Sequence, residues 1–117
     1  MTNSHTSFFF SDIMGYRKMV EHDEKLAFRL LQEHNRIIEK SVTENEGRIV
    51  KYIGDSVFAE YNTPDSACAA ALAIQCSLQE RNTLSRHDEE VHILLGIHTV
   101  RLLYNSDSAD AHQGDYV

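Results

Sequence analysis

The amino-acid sequence predicts one α+β domain, an antiparallel sheet laid down as strand, helix, strand, strand, helix, strand with both helices on one face. Three observations carry this. Apolar residues recur at threes and fours between about Asp23 and Asn45. Two short strand-like runs follow, split by Gly54-Asp55. Thr63-Pro64-Asp65 then opens a second helix. A chain of 117 residues has room for one small domain and not two.

Residues 1–6 read as a polar tail, and the domain runs over residues 7–117. Ser7-Phe8-Phe9-Phe10-Ser11 is apolar on both faces and predicts a buried central strand. Leu26, Leu30, Leu31, Ile37, Ile38 and Val42 form the inner stripe of the first helix, which ends near Gly47. Gly47 to Ile53 and Ser56 to Tyr61 predict a hairpin turning at Gly54-Asp55. In the second helix Thr63 is the N-cap and Pro64 the first helical residue. Its apolar face is narrow: Ala67, Ala70, Ala71, Ile74 and Leu78. Arg81 to Glu90 is polar and reads as a loop. Val91 to His98 alternates as a strand, Arg101 to Tyr104 reads as a further one, and Asn105 to Gln113 as an irregular loop.

The composition excludes several classes. Net charge is −7, which disfavours a sequence-independent grip on nucleic acid. No apolar run is long enough to span a membrane, and the polar start lacks the layout of a signal peptide, so the expected location is cytoplasmic. Cys68 and Cys76 fall in one helix, roughly 12 Å apart along its axis, too far for a disulfide within it.

The βαββαβ order is that of a ferredoxin-like sheet, which the family resemblance given below implies is incomplete at the C-terminus. In that layout the first and third strands are antiparallel neighbours. Asp12, after the first strand, then meets Asp55, before the third. Two carboxylates at one sheet edge suit Mg²⁺ or Mn²⁺, hard cations that prefer oxygen ligands and bring phosphate with them. Two solvated turn aspartates fit the same spacing.

Four strings add to this: F-F-S-D-I-M-G-Y at 9–16, E-G-R-I-V-K-Y-I-G-D-S-V at 46–57, A-A-L-A-I-Q at 70–75 and L-G-I-H-T at 95–99. In order and approximate spacing they resemble the class III adenylate/guanylate cyclase catalytic domain, over about Ser7 to Val117 and covering its N-terminal two thirds. The resemblance implies closure of a nucleoside triphosphate to a 3′,5′-cyclic monophosphate and pyrophosphate, for second-messenger signalling. It implies two metal ions at Asp12, Asp55 and the Ile13 carbonyl. It places the amides of Ile13, Met14, Gly15 and Tyr16 against the β- and γ-phosphates, with Gly54 in the substrate-binding turn. Lys51 takes the purine-reading position. A lysine donates to adenine N1, whereas guanine N1 carries a hydrogen, so ATP is the implied substrate. Arg101 corresponds to an arginine that contacts the triphosphate in some members. From the residues alone, Lys51 reads as a strand lysine with its stem on the sheet and His98 as a packed strand histidine rather than a general base, while Arg101 is as readily an exposed strand cation.

The match departs from the family at three places. Val100 stands where glycine follows the His-Ser/Thr pair. Ala111 stands at the second purine-reading position, with Asp110 one residue off. Gly114-Asp115-Tyr116-Val117 resembles the start of the late motif, whose transition-state asparagine and arginine no residue here matches. The leading expectation is therefore an adenylate cyclase module acting as a homodimer or cyclase-domain heterodimer, with little activity as the isolated chain. The alternative is a degenerate cyclase-like domain that binds nucleotide or a partner chain without catalysis. A diguanylate cyclase is disfavoured, because no G-G-D-E-F-like string is present.

Overall fold

The computed structural model describes the backbone of residues 2–104 and the side chains of residues 6–101. Its elements are β1 (Thr2–Ile13), α1 (Tyr16–His22), α2 (Glu24–Glu44), β2 (Arg48–Ile53), β3 (Ser56–Tyr61), α3 (Pro64–Thr83) and β4 (Ile93–Tyr104), with a short 3₁₀ turn at His87–Glu89. The sheet order is β2-β3-β1-β4 and every pairing is antiparallel. This is the ferredoxin-like α+β arrangement expected from the sequence.

The helix ends follow their local chemistry. Asp23 caps α2 by accepting from the Leu26 amide at 3.1 Å. The other end closes as Gly47 N–H reaches back to the Val42 carbonyl at 2.8 Å, with Glu46 at positive φ. Thr63 caps α3 by accepting from the Ser66 amide, with Pro64 behind it in the first turn. α3 continues past the expected boundary to Thr83. Arg81 donates to Glu33 of α2 and to the Glu89 carbonyl, which ties down a last turn that reads as polar loop.

Both long helices cover one sheet face. Phe9, Ile13, Val57, Ala59 and Tyr61 point into a common core with Leu30, Ile38 and Val42 of α2 and Ala70, Ile74 and Leu78 of α3. Phe9 is fully buried, and truncating such a ring costs about 3–5 kcal/mol in transfer and cavity terms.

Four further expectations are corrected. β1 is buried on one face only: Ser7, Phe9, Ser11 and Ile13 are covered, while Phe10 is 48% exposed on the other. β1 is also longer than read. It begins at Thr2, because β4 supplies partners from Thr2↔Tyr104 to Ile13↔Ile93, so Asp12 lies within the strand. The two late strands are one continuous β4. Finally, α1 has no counterpart in the sequence reading. It is seven residues long, buries none of them and has no side-chain cap, so it gives no amphipathic signal.

Candidate active site at the carboxylate edge

Antiparallel pairing of β1 with β3 sets Ser11 opposite Val57, which brings Asp12 to Ser56 and the β2–β3 turn. That turn is tight. Gly54 has φ 59°, a left-handed conformation that glycine adopts without a Cβ clash. Asp55 follows it and is half-buried, as is Asp12. Two hydrogen bonds lock the pair. The Ile13 amide donates to Asp55 Oδ2 at 3.0 Å, and Ser56 Oγ donates to Asp12 Oδ1. Asp12 Oδ2 and Asp55 Oδ1 have no hydrogen-bond partner among the described residues.

This donor set fits a divalent cation of the magnesium type. Each carboxylate has one oxygen fixed and one free, and the Ile13 backbone adds a carbonyl. Among the described residues no group of three or more His, Cys, Asp or Glu converges on a metal position. Mg²⁺ commonly binds through one or two carboxylates, with water and phosphate supplying the rest.

The phosphate-facing amides divide into two sets. Ile13 N–H is engaged by Asp55, and Met14 N–H by the His92 carbonyl at 2.8 Å, so neither is free for an anion in this arrangement. The amides of Gly15 and Tyr16 have no acceptor among the described residues, and Gly15, at φ 72°, opens α1. Tyr16 is half-buried beside this edge. Burial, then the charges of Asp55 and Glu24, raise its phenol above the usual range.

Lys51 shares the open sheet face with Asp12 but does not meet it. It faces Phe58, which faces Phe10, one row from the Asp12–Ser56 row. Two strand spacings and one row separate the two residues by about 12 Å. Arg101 is farther. Asp12 pairs with Leu94, and Arg101 lies seven residues beyond it, roughly 23 Å along β4 and on the opposite face. Val100 pairs with Thr6 and is half-buried. Ala111, Asp110 and the 114–117 string lie outside the described residues.

Ser56 and His92 were not singled out in the sequence. Ser56 follows Gly-Asp directly, a cue that was available. His92 acts through its backbone carbonyl, which no side-chain pattern reveals. A cavity of about 480 Å³ adjoins this edge on the far side of Met14 and His92, between α3 and the start of β4, lined also by Leu78, Asn82 and Glu90 among others. It contains neither aspartate and no lysine or arginine, so it is ill suited to a triphosphate.

Comparison with known proteins decides the family. The Adenylate and Guanylate cyclase catalytic domain family matches residues 2–116. The chain belongs to this family. Adenylate cyclase of Anabaena cylindrica is 37% identical over 76 residues, covering 62% of this chain and 15% of that protein. Adenylate cyclase 1 of Rhizobium meliloti (strain 1021) is 30% identical over 100 residues, covering 77% and 15%. Among solved structures, a bacterial light-regulated adenylyl cyclase superposes with TM-score 0.78 at 19% identity, over 88% of this chain and 57% of that one. An adenylate/guanylate cyclase/hydrolase from Silicibacter pomeroyi does so with TM-score 0.75 at 25% identity, over 86% and 59%. The cyclase-family chain thus spans about 15% of the length of these curated relatives and under two thirds of the matched structures.

Proposed function

We propose that this cyclase-family chain contributes the metal-binding half of a site that closes ATP to 3′,5′-cyclic AMP and pyrophosphate. The observation that carries the reading is the Asp12–Asp55 pair, held at one sheet edge by Ile13 N–H and Ser56 Oγ with one oxygen of each left over. Two Mg²⁺ or Mn²⁺ ions there would supply charge to the α-phosphate and ease loss of the ribose 3′-hydroxyl proton. Asp12 and Asp55 bind and orient. The Gly15 and Tyr16 amides offer donors to the terminal phosphates, and Gly54 lets the turn approach them closely.

Lys51 would read adenine in a site shared with a second cyclase domain. Its distance from Asp12 within one chain supports that division, as does the exposed apolar face formed by Phe10, Ile53 and Leu94. The partner is a second copy or a related cyclase domain, and no step is assigned to Arg101 within the same chain. The module is proposed to work in the cytoplasm in second-messenger signalling. Among the described residues no helix is long and apolar enough to cross a membrane.

Val100 favours a second reading, a cyclase-like domain that binds nucleotide without turnover. A β-branched residue replaces the family's glycine on β4, six residues and roughly 20 Å along the strand from Leu94, the partner of Asp12. The experiment that separates the two is cyclic AMP formation from ATP and Mn²⁺ by this chain mixed with a cyclase domain supplying the transition-state asparagine and arginine. Turnover that disappears in Asp12→Asn and Asp55→Asn supports catalysis. Nucleotide binding without turnover supports the second reading.

A further inference from the structure

Helix α2 carries a histidine where its core seam calls for an aliphatic residue. The inward positions are Ala27, Leu30, His34, Ile38 and Val42, and His34 is 0% exposed. Its Nδ1 pairs with Asn35 Oδ1 at 2.9 Å, but its Nε2 is buried with no partner. A buried polar atom left unpaired costs about 1–3 kcal/mol, and such an atom calls for an explanation. Leucine would fill the seam without that cost.

The position of His34 supplies the explanation. α2 runs back along β2: Gly47 N–H reaches the Val42 carbonyl, and Tyr52 donates its hydroxyl to Glu39. His34 lies five residues before Glu39, about 7.5 Å farther along the helix axis. Ile53, Gly54 and Asp55 continue from Tyr52 in the same direction. This places His34 on the helix layer beneath the β2–β3 turn. Burial lowers its basicity, and the negative charge of Asp55 is close enough to act in the opposite sense. Ser11 Oγ, on the core face one residue before Asp12, is another buried polar atom without a partner.

We propose that His34 is a positioning residue for the carboxylate edge, setting from beneath the β2–β3 turn how Asp55 sits against the Ile13 amide. The inference rests on the metal-binding reading of Asp12 and Asp55. His34 touches neither ion nor nucleotide and acts through the turn.

The test uses the 117-residue chain labelled uniformly with ¹⁵N, titrated with Mg²⁺ and followed by NMR. The backbone amides of Asp12 and Asp55 report binding, and the His34 ring signals are assigned by their loss in His34→Gln. The His34 ring should shift with the same midpoint as the two amides. A ring that stays unmoved while those amides saturate overturns the proposal and leaves the metal reading intact. Mg²⁺ that moves neither set overturns the metal reading itself. In a second arm, Mn²⁺ dissociation constants and unfolding temperatures are measured for His34→Leu and His34→Gln. Groups that orient metal ligands from behind change affinity by about 10–100-fold, so Mn²⁺ binding should weaken about tenfold in His34→Leu while its unfolding temperature holds or rises. Wild-type affinity in either folded variant overturns the proposal.

Discussion

Ile13 donates its backbone amide to Asp55 Oδ2 at 3.0 Å across 42 positions of sequence. The bond fixes the end of β1 against the β2–β3 turn and engages one carboxylate oxygen. Ser56 does the same for Asp12 from the other side. Each aspartate is held by one oxygen and presents the other.

Ser56→Ala removes the hydroxyl that holds Asp12 Oδ1. A hydrogen bond to a charged group contributes about 1.5–3 kcal/mol, and partial exposure here places the loss at the lower end. Mn²⁺ affinity measured by calorimetry should fall several-fold with the fold retained. An unchanged affinity would mean that Asp12 needs no second anchor.

Lys51→Glu tests base choice. An unpaired guanine N1 hydrogen against a lysine costs about 1–3 kcal/mol, or roughly a five- to hundredfold preference for ATP. In the chain complemented by a second cyclase domain, the substitution should lower ATP use and spare or raise GTP use. An ATP/GTP ratio that does not move makes Lys51 an ordinary strand lysine.

The chain assayed alone should form little cyclic AMP. No residue here matches the transition-state asparagine and arginine, and such groups contribute factors of about a hundred to a thousand each. Robust turnover with no partner chain would show that those roles lie on residues already present.

Stability should depend on pH through His34. Burial depresses its folded-state basicity below the unfolded value of about 6.5. The unfolded chain then binds more protons below that pH, so the stability attached to the neutral ring is present above about 6.5 and is lost as pH falls. Urea midpoints from pH 8 to 5 should decline more steeply for wild type than for His34→Leu. Parallel curves would assign acid sensitivity to other groups.

Local chemistry made most of the architecture legible. The Thr63 cap and the glycine turn at Gly54 each act within a few residues and appear in the structure as read. The stripe of α2 does so at Leu30, Ile38 and Val42, while the burial of Ala27 and His34 and the Asp23 cap went unread. What escaped depends on partners distant in sequence. Phe8-Phe9-Phe10 suggests burial on both faces, yet the helices cover only the Phe9 side, and which face is covered is decided by α2 and α3. α1 escaped because it is seven residues long and buries none of them fully. At the site, the pairing of Asp12 with Asp55 follows from topology alone. The engagement of the Ile13 and Met14 amides does not, because their acceptors are Asp55, on the β2–β3 turn, and the backbone of His92.

The most direct test of the central claim is the anomalous scattering of Mn²⁺ in crystals grown with a non-hydrolysable ATP analogue. Mg²⁺-type ions sit about 2.0–2.1 Å from their oxygens, and two-metal sites hold their ions about 3.5–4 Å apart. The account predicts Mn²⁺ density bridged by Asp12 and Asp55, with Mn–O contacts slightly longer than those of Mg²⁺ and the analogue's phosphates on its open side. Nucleotide bound with Mn²⁺ elsewhere, or with the two carboxylates turned to opposite faces of the sheet, would contradict it.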